Sequence, residues 1–97
     1  MKKYFALKLN PPRPTFPGDI TDEERSIMKQ HSDYWRSLMN KGKVIAFGPV
    51  LDPKAVYGFG IIEAENEDEV KAFMANDPAN NLGTYEAYPM MAVVPEK

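Results

Sequence analysis

The stretch KVIAFGPVLDPKAVYGFGIIEA, residues 43–64, contains two strand-like runs separated by a turn. Lys43 to Gly48 is rich in β-branched and aromatic residues, and Pro49 is expected to end that strand. An Asp-Pro turn follows at residues 52–53. From Tyr57 to Ala64 the side chains alternate between two faces, which is the period of a strand. The stretch therefore predicts an antiparallel pair of strands.

A helix is predicted before this pair of strands. Thr21 and Glu24 have the spacing of a capping box, in which each side chain accepts a hydrogen bond from the amide of the other residue. Apolar residues then recur at helical spacing, and Gly42 is placed for the left-handed residue that follows a helix. The stripe consists of Ile27, Met28, His31, Tyr34, Trp35, Leu38 and Met39. The predicted helix runs from about Asp22 to Lys41.

The remaining segments complete the pattern. Tyr4 to Leu9 alternates as a strand, and the four prolines between Pro11 and Pro17 then favour a stiff extended loop. Asn66 has the spacing to cap a second, short helix that ends at Asn76. The last predicted strand is long, from Thr84 to Val94, and its Pro89 must lie at a sheet edge or a bulge because proline cannot donate to the sheet.

The resulting order of elements is βαββαβ. This order predicts an α+β fold, the ferredoxin-like sandwich with two helices on one face of a four-stranded antiparallel sheet. The other face of the sheet is left uncovered. Residues 90–93 are apolar on both sides of the last strand, although a solvated face would carry polar residues. We therefore expect a second subunit to cover that face.

Composition restricts the class of protein. The chain has 97 residues, 43% hydrophobic and 27% charged, which is typical of a single globular domain over residues 1–97. A net charge of −2 with scattered Lys and Arg argues against binding to nucleic acid or to an anionic membrane. The first apolar run is interrupted by Lys8 and Pro11, so we expect no signal peptide, no membrane span and a cytoplasmic location.

His31 is the only histidine in the chain and lies in the apolar stripe of the first predicted helix. Its neighbours one helical turn away are Ile27, Met28, Tyr34 and Trp35. No carboxylate of its own helix can therefore pair with it. On periodicity alone, a core histidine hydrogen-bonded to the backbone is the ordinary outcome. The alternative is a general acid or base, because imidazole takes up and returns protons near neutral pH.

Other candidate residues have an ordinary structural interpretation as well. Asp77 and Asp52 each precede a proline, where an aspartate commonly caps local amides, and either could orient His31. Arg13, held between prolines, could bind a carboxylate-bearing ligand. Trp35 and Tyr85 are expected in the core or in a cavity wall. One histidine and no cysteine argue against a zinc site, and neither a metal nor an organic cofactor is expected.

Six motifs occur along nearly the whole chain: PRPTFP, MKQHSDYWRSLMNKG, VIAFGPVLDP, YGFGIIEAENEDEV, NDP and YEAYPMMA. In this order and spacing they resemble the YciI-like (YCII-related) family, whose members have a dimeric α/β-barrel form of the ferredoxin-like fold. The resemblance implies a homodimer with an active-site histidine and aspartate, which match His31 and Asp77. Gly48 and Pro49 match the family's Gly-Pro turn.

Two functions are consistent with this resemblance. One relative is a dehydrochlorinase, and muconolactone isomerases share the broader fold, so the first hypothesis is a cofactor-free enzyme. It would use His31 and Asp77 for elimination or isomerisation of a small organic acid or lactone, with Arg13, Trp35, Gly48, Pro49 and Tyr85 around the substrate. The second is a non-catalytic module that binds a small molecule or a protein partner through the same cavity.

Overall fold

The computed structural model describes residues 3–95 of the chain. Its elements are, in order, β1 (Lys3–Asn10), α1 (Asp22–Asn40), β2 (Val44–Val50), β3 (Tyr57–Ala64), α2 (Glu67–Ala75), a 3-10 helix (Pro78–Asn81) and β4 (Thr84–Met90). This is the predicted βαββαβ order with one short 3-10 helix added. Neither α1 nor α2, in the part of the chain described, has the length and hydropathy needed to cross a membrane.

The four strands form one antiparallel sheet in the order β2-β3-β1-β4. β1 and β3 are central, and Leu7 of β1 lies opposite Gly60 of β3 and Ala87 of β4. β2 and β4 are the two edges, so Pro89 lies on an edge strand as predicted. The ferredoxin-like α+β fold expected from the sequence is confirmed.

Both helices contribute to one hydrophobic core on the same face of the sheet. Leu7 and Ile62 come from the central strands, Trp35 from α1 and Phe73 from α2. The Trp35 ring centroid lies 4.8 Å from that of Phe73, with the two rings nearly perpendicular. Such edge-to-face contacts stabilise aromatic pairs beyond their area of burial. Trp35 is therefore the side chain through which the two helices and the sheet meet.

Gly60 makes room for Trp35. A Cβ atom at Gly60 would lie only 2.2 Å from the Trp35 ring. A larger residue there would displace the indole and every contact that its N–H makes. The Gly-x-Gly sequence in β3 is thus explained at Gly60 by close packing.

Two strand boundaries were predicted wrongly. β2 continues through Pro49 to Val50, and Pro49 lies opposite Gly58. An edge strand tolerates proline because one side of it has no hydrogen-bonded neighbour. β4 ends at Met90 and not at Val94, since Met90 already pairs with Tyr4 near the start of β1.

The predicted helix termini are confirmed. The Thr21 side chain accepts from the Glu24 amide at 3.1 Å, and the Glu24 carboxylate accepts from the Thr21 amide at 3.0 Å. Gly42, two residues after α1, has a φ of 83°, the left-handed conformation that favours glycine. These two ends fix the register of α1 and so the direction in which the His31 stripe faces.

The outer face of the sheet carries a mixture of apolar and charged side chains. Tyr88 and Met90 of β4 and Phe59 of β3 are exposed, and Met91, just after β4, is completely so. Lys8 and Glu86 lie opposite one another on the same face. This face has no covering element among residues 3–95.

Arg13 ties the proline-rich loop to the start of α1. Its guanidinium donates to both carboxylate oxygens of Glu24 at 2.7 Å and to Oδ1 of Asp19 at 2.9 Å. The hydrogen bonds from Arg13, together with the smaller effect of the one from the Thr21 amide, lower the pKa of Glu24 from its ordinary 4.5 to about 2. The loop that precedes α1 is thus held by paired charges.

We expect the Arg13→Gln substitution to reduce the acid sensitivity of the fold. Between pH 4.5 and about 2 the unfolded chain protonates Glu24 while the folded protein keeps it ionised. Stability that is present above this window is therefore lost as the pH falls through it. Melting temperatures of the wild type should drop across the window, and those of Arg13→Gln should drop less.

The matched control is Arg36→Gln, which removes the same charge from an exposed position on α1. It should melt with the slope of the wild type. Identical slopes for Arg13→Gln and the wild type would show that the Arg13 contacts add no pH-dependent stability.

Candidate functional site

His31 and Asp77 are in direct contact. The Nδ1 atom of His31 lies 2.8 Å from both carboxylate oxygens of Asp77. His31 is on the inner stripe of α1, and Asp77 follows the end of α2. α2 lies beside α1 on the same face of the sheet, so a residue that leaves its C-terminal end can reach the α1 stripe.

The Asp77 carboxylate accepts hydrogen bonds from three further groups. These are the indole N–H of Trp35 at 2.9 Å, the amide of Ala79 at 2.9 Å, and the hydroxyl of Tyr85. The Asp77 side chain has no exposed surface. A buried carboxylate is stable only when such donors replace water. Asp77 therefore accepts hydrogen bonds from residues of α1, β4 and the 3-10 helix. It is also the N-cap residue of that 3-10 helix.

These donors keep Asp77 ionised. Burial by itself raises the pKa of a carboxyl group, but hydrogen bonds from His31, Tyr85 and the Ala79 amide outweigh it and lower the pKa of Asp77. Burial, together with the hydrogen bond to Asp77, raises the pKa of Tyr85, which therefore stays protonated as a donor. The ionised carboxylate of Asp77 can therefore accept hydrogen bonds but cannot donate one.

The ionisation of Asp77 determines the tautomer of His31. Because the carboxylate has no proton to donate, Nδ1 of His31 must carry the proton that they share. In the neutral ring, the lone pair is then on Nε2.

His31 lines a cavity of about 300 Å³ between the sheet, α1 and the proline-rich loop. His31 lines this cavity and Asp77 does not, and Nε2 is the ring nitrogen that Asp77 does not contact. The walls include Leu7 and Leu9 of β1, Phe16 and three prolines of the loop, Met28 and Trp35 of α1, and Gly48 and Pro49 of β2. A volume of this size is at the lower end for ligand sites, which span about 300–1,000 Å³.

Most of the site residues predicted from the sequence lie together. Trp35, Gly48, Pro49 and Tyr85 line the cavity beside His31. The polar roles of Trp35 and Tyr85 were missed, because both were expected only as walls. Trp35 follows His31 by one helical turn, so its position on the same stripe was the available signal; for Tyr85 there was none.

Two other candidates lie elsewhere. Arg13 does not line the cavity, and its guanidinium is occupied by Asp19 and Glu24, so it is not placed to bind a carboxylate ligand there. Asp52 accepts from the amide of Lys54 at 2.9 Å in a local turn. The aspartate that reaches His31 is therefore Asp77. Within residues 3–95 no three His, Cys, Asp or Glu side chains are grouped to hold a metal ion.

The solved structures that this chain resembles include one from Burkholderia phenoliruptrix and one from Thermotoga maritima. One is the 5-chloro-2-hydroxyhydroquinone dehydrochlorinase of Burkholderia phenoliruptrix, in complex with 2,5-dihydroxybenzoquinone. It is 26% identical with a TM-score of 0.63, over 87% of this chain and 90% of that one. The other is an uncharacterized protein of Thermotoga maritima, 10% identical with a TM-score of 0.58, over 93% of this chain and 99% of that one. The second likeness concerns the fold alone.

A search of curated proteins gave no match. The model of the YCII-related domain matches residues 5–94, which is nearly the whole chain. The protein therefore belongs to the YCII-related domain family.

Proposed function

We propose that this protein is a small-molecule enzyme that uses no organic cofactor. In this proposal His31 exchanges a proton with the substrate, and Asp77 orients the imidazole ring of His31. The observation that carries the proposal is the contact of Nδ1 with both Asp77 oxygens at 2.8 Å, beside a cavity of ligand size. Because Nδ1 is bonded to Asp77, Nε2 is the ring nitrogen that acts as the base in this proposal. A general base needs such an atom within hydrogen-bond reach of the proton that it removes.

The proposed chemistry is an elimination or an isomerisation. Nε2 takes a proton from a hydroxyl group or from a carbon next to a carbonyl, and the electron pair of the broken bond forms a new double bond. In an elimination, the bond to the leaving group then breaks and chloride, for example, departs with its electrons. In an isomerisation, the imidazolium returns the proton to another carbon. Both balance without an external oxidant or reductant.

The Burkholderia dehydrochlorinase supports this choice of chemistry. Its reaction, by its name, removes HCl, and its structure holds a quinone. It shares the fold and about a quarter of its residues with this protein. Transfer of that reaction class to this chain is part of our proposal.

Trp35 and Tyr85 act in the proposal as positioning residues. Each donates to Oδ2 of Asp77, so together they restrict rotation of the carboxylate. A carboxylate held in this way restricts the imidazole in turn. The substrate then meets a base whose orientation is fixed before binding.

We expect His31→Asn to abolish turnover, with a loss of about 10²–10⁴-fold, the usual contribution of a general acid or base. Asp77→Asn should lower turnover by a smaller factor, because an amide can donate to Nδ1 and favour the wrong tautomer. Chloride release from 5-chloro-2-hydroxyhydroquinone and ring opening or double-bond migration of small lactones are suitable assays. Circular dichroism checks that both variants fold.

Asp52→Asn is the matched control, since it is the same change at the other Asp-Pro pair, and it should keep wild-type turnover. Retention of activity in His31→Asn would contradict the assignment. Wild-type protein that binds these compounds but converts none of them would favour the non-catalytic binding module.

We also propose that two copies pair through the outer face of the sheet. The support is the exposed apolar group of Phe59, Tyr88 and Met90, and the presence of Lys8 and Glu86 on the same face. A second copy could pair these opposite charges across a two-fold axis while covering the apolar side chains. A chain of this size gains burial by such association.

We expect the wild type to sediment as a dimer at micromolar concentration. The double substitution of Tyr88→Lys and Met90→Lys should make it a monomer of 11.0 kDa, because it places two further cations on the face. Leu51→Lys is the control, since Leu51 is 78% exposed in the loop after β2. A monomeric wild type would contradict the dimer.

A further inference from the structure

We infer that the cavity beside His31 selects an uncharged, largely apolar ring compound with a single hydrogen-bonding group for the imidazole, and rejects carboxylates and phosphates. The inference rests on the proposed function in taking this cavity as the ligand site. Of the two substrate classes considered, small organic acids and lactones, it keeps the uncharged lactones and excludes the ionised acids.

The lining contains no side chain with a permanent charge, and His31 is its only residue that can become a cation. No Lys, Arg, Asp or Glu is among the cavity residues in the described part of the chain. The walls are made mainly of the side chains of Leu, Met, Phe, Pro, Ile and Val. Buried without a paired charge, a carboxylate would lose its hydration and gain no compensating ion pair.

The polar groups in the walls are mostly engaged. The N–H of Trp35 and the hydroxyl of Tyr85 are donated to Asp77. The Asn10 amide donates to the Thr84 carbonyl and to Glu86. Ser32 and Tyr57 add neutral hydroxyls. An oxyanion would thus find few donors apart from His31.

The charge of the site acts in the same direction. With a neutral imidazole, the His31–Asp77 pair has a charge of −1, and with an imidazolium its charge is zero. An anionic ligand therefore either meets a negative site or leaves the site with an excess negative charge in low-dielectric surroundings. Arg13, the candidate that could have compensated for it, is occupied by Asp19 and Glu24.

The size of the cavity fits a ring compound. Its volume of about 300 Å³ is roughly twice that of the apolar cavity, about 150 Å³, that holds benzene in another protein. Trp35, Phe16 and Phe47 supply flat aromatic surfaces in its wall. One substituted ring or two fused rings would fill it, with the ring faces on aromatic walls.

The test compares three probes that share one ring and one phenol: methyl 4-hydroxybenzoate, 4-hydroxybenzamide and 4-hydroxybenzoate. At neutral pH only 4-hydroxybenzoate is an anion. The neutral 4-hydroxybenzamide has nearly the same shape as 4-hydroxybenzoate and therefore separates the effect of charge from that of shape. Binding is measured by NMR titration of the wild type, in which the ring signals of His31, the only histidine, report on this site. We expect the ester to bind most tightly and the anion at least about tenfold more weakly.

A cation placed in the wall should reverse the preference. Met28 is half-buried, lines the cavity and lies one turn before His31 on α1, so Met28→Lys should raise the affinity for 4-hydroxybenzoate relative to the ester. Gln30→Lys, at an exposed position of the same helix, adds an equal charge outside the lining and should leave the ratio unchanged. The wild-type comparison decides the inference alone if Met28→Lys does not fold.

Equal or tighter binding of 4-hydroxybenzoate by the wild type would overturn the inference, as would binding of neither neutral probe at millimolar concentration. Binding requires no turnover, so the two proposals fail separately. Selective binding of the neutral probes by a protein without any turnover would reject the enzyme and keep the ligand class. Turnover of a carboxylate substrate that depends on His31 would keep the proposed enzyme and reject the proposed ligand class.

Discussion

The buried carboxylate of Asp77 is the group on which the arrangement of the site depends. A charge without exposure must have hydrogen-bond donors on every side, and each donor is thereby held at a defined position. Here the donors are His31 and Trp35 of α1, the Ala79 amide of the 3-10 helix, and Tyr85 of β4. The contact therefore joins the first helix, the segment after the second helix and an edge strand.

This constraint links packing to chemistry. Gly60 admits the ring of Trp35 against the sheet, the ring directs its N–H to Asp77, and Asp77 fixes Nδ1 of His31. The other ring nitrogen, Nε2, has no contact with Asp77, and His31 lines the cavity. The cavity walls are mainly apolar, and His31, Ser32 and Tyr57 are among the few polar side chains that line it.

The sequence was sufficient for the fold and for part of the site. Local signals, such as the Thr21 capping box and the alternation in β3, act within a few residues and were read correctly. The strand ends were harder to predict, because the end of β4 depends on where its partner β1 begins. That dependence is tertiary and does not appear in the β4 sequence itself.

The candidate site, like the fold, could be predicted from local sequence patterns only in part. Periodicity placed His31 on an inward stripe but left its partner open between Asp77 and Asp52, and only the family resemblance favoured Asp77. The contact joins residues 46 positions apart, so no local pattern encodes it. The contacts of Arg13 were not predicted because its partners Asp19 and Glu24 become neighbours only when the loop folds back on α1. The hydrogen bonds that Trp35 and Tyr85 donate to Asp77 were not predicted, because an analysis of hydrophobic periodicity treats both residues as apolar.

The tautomer of the neutral His31 ring, which long-range nitrogen–proton NMR records, tests most directly whether Asp77 determines which ring nitrogen carries the proton. The chain has one histidine, so the spectrum has a single pair of ring nitrogens to assign. We expect that Nδ1 carries the proton and Nε2 is unprotonated in the wild type, and that Asp77→Asn shifts the proton toward Nε2. A neutral wild-type ring protonated at Nε2 would show that Asp77 does not hold the proton on Nδ1, and Nε2 would then have no lone pair with which to accept a proton from a substrate.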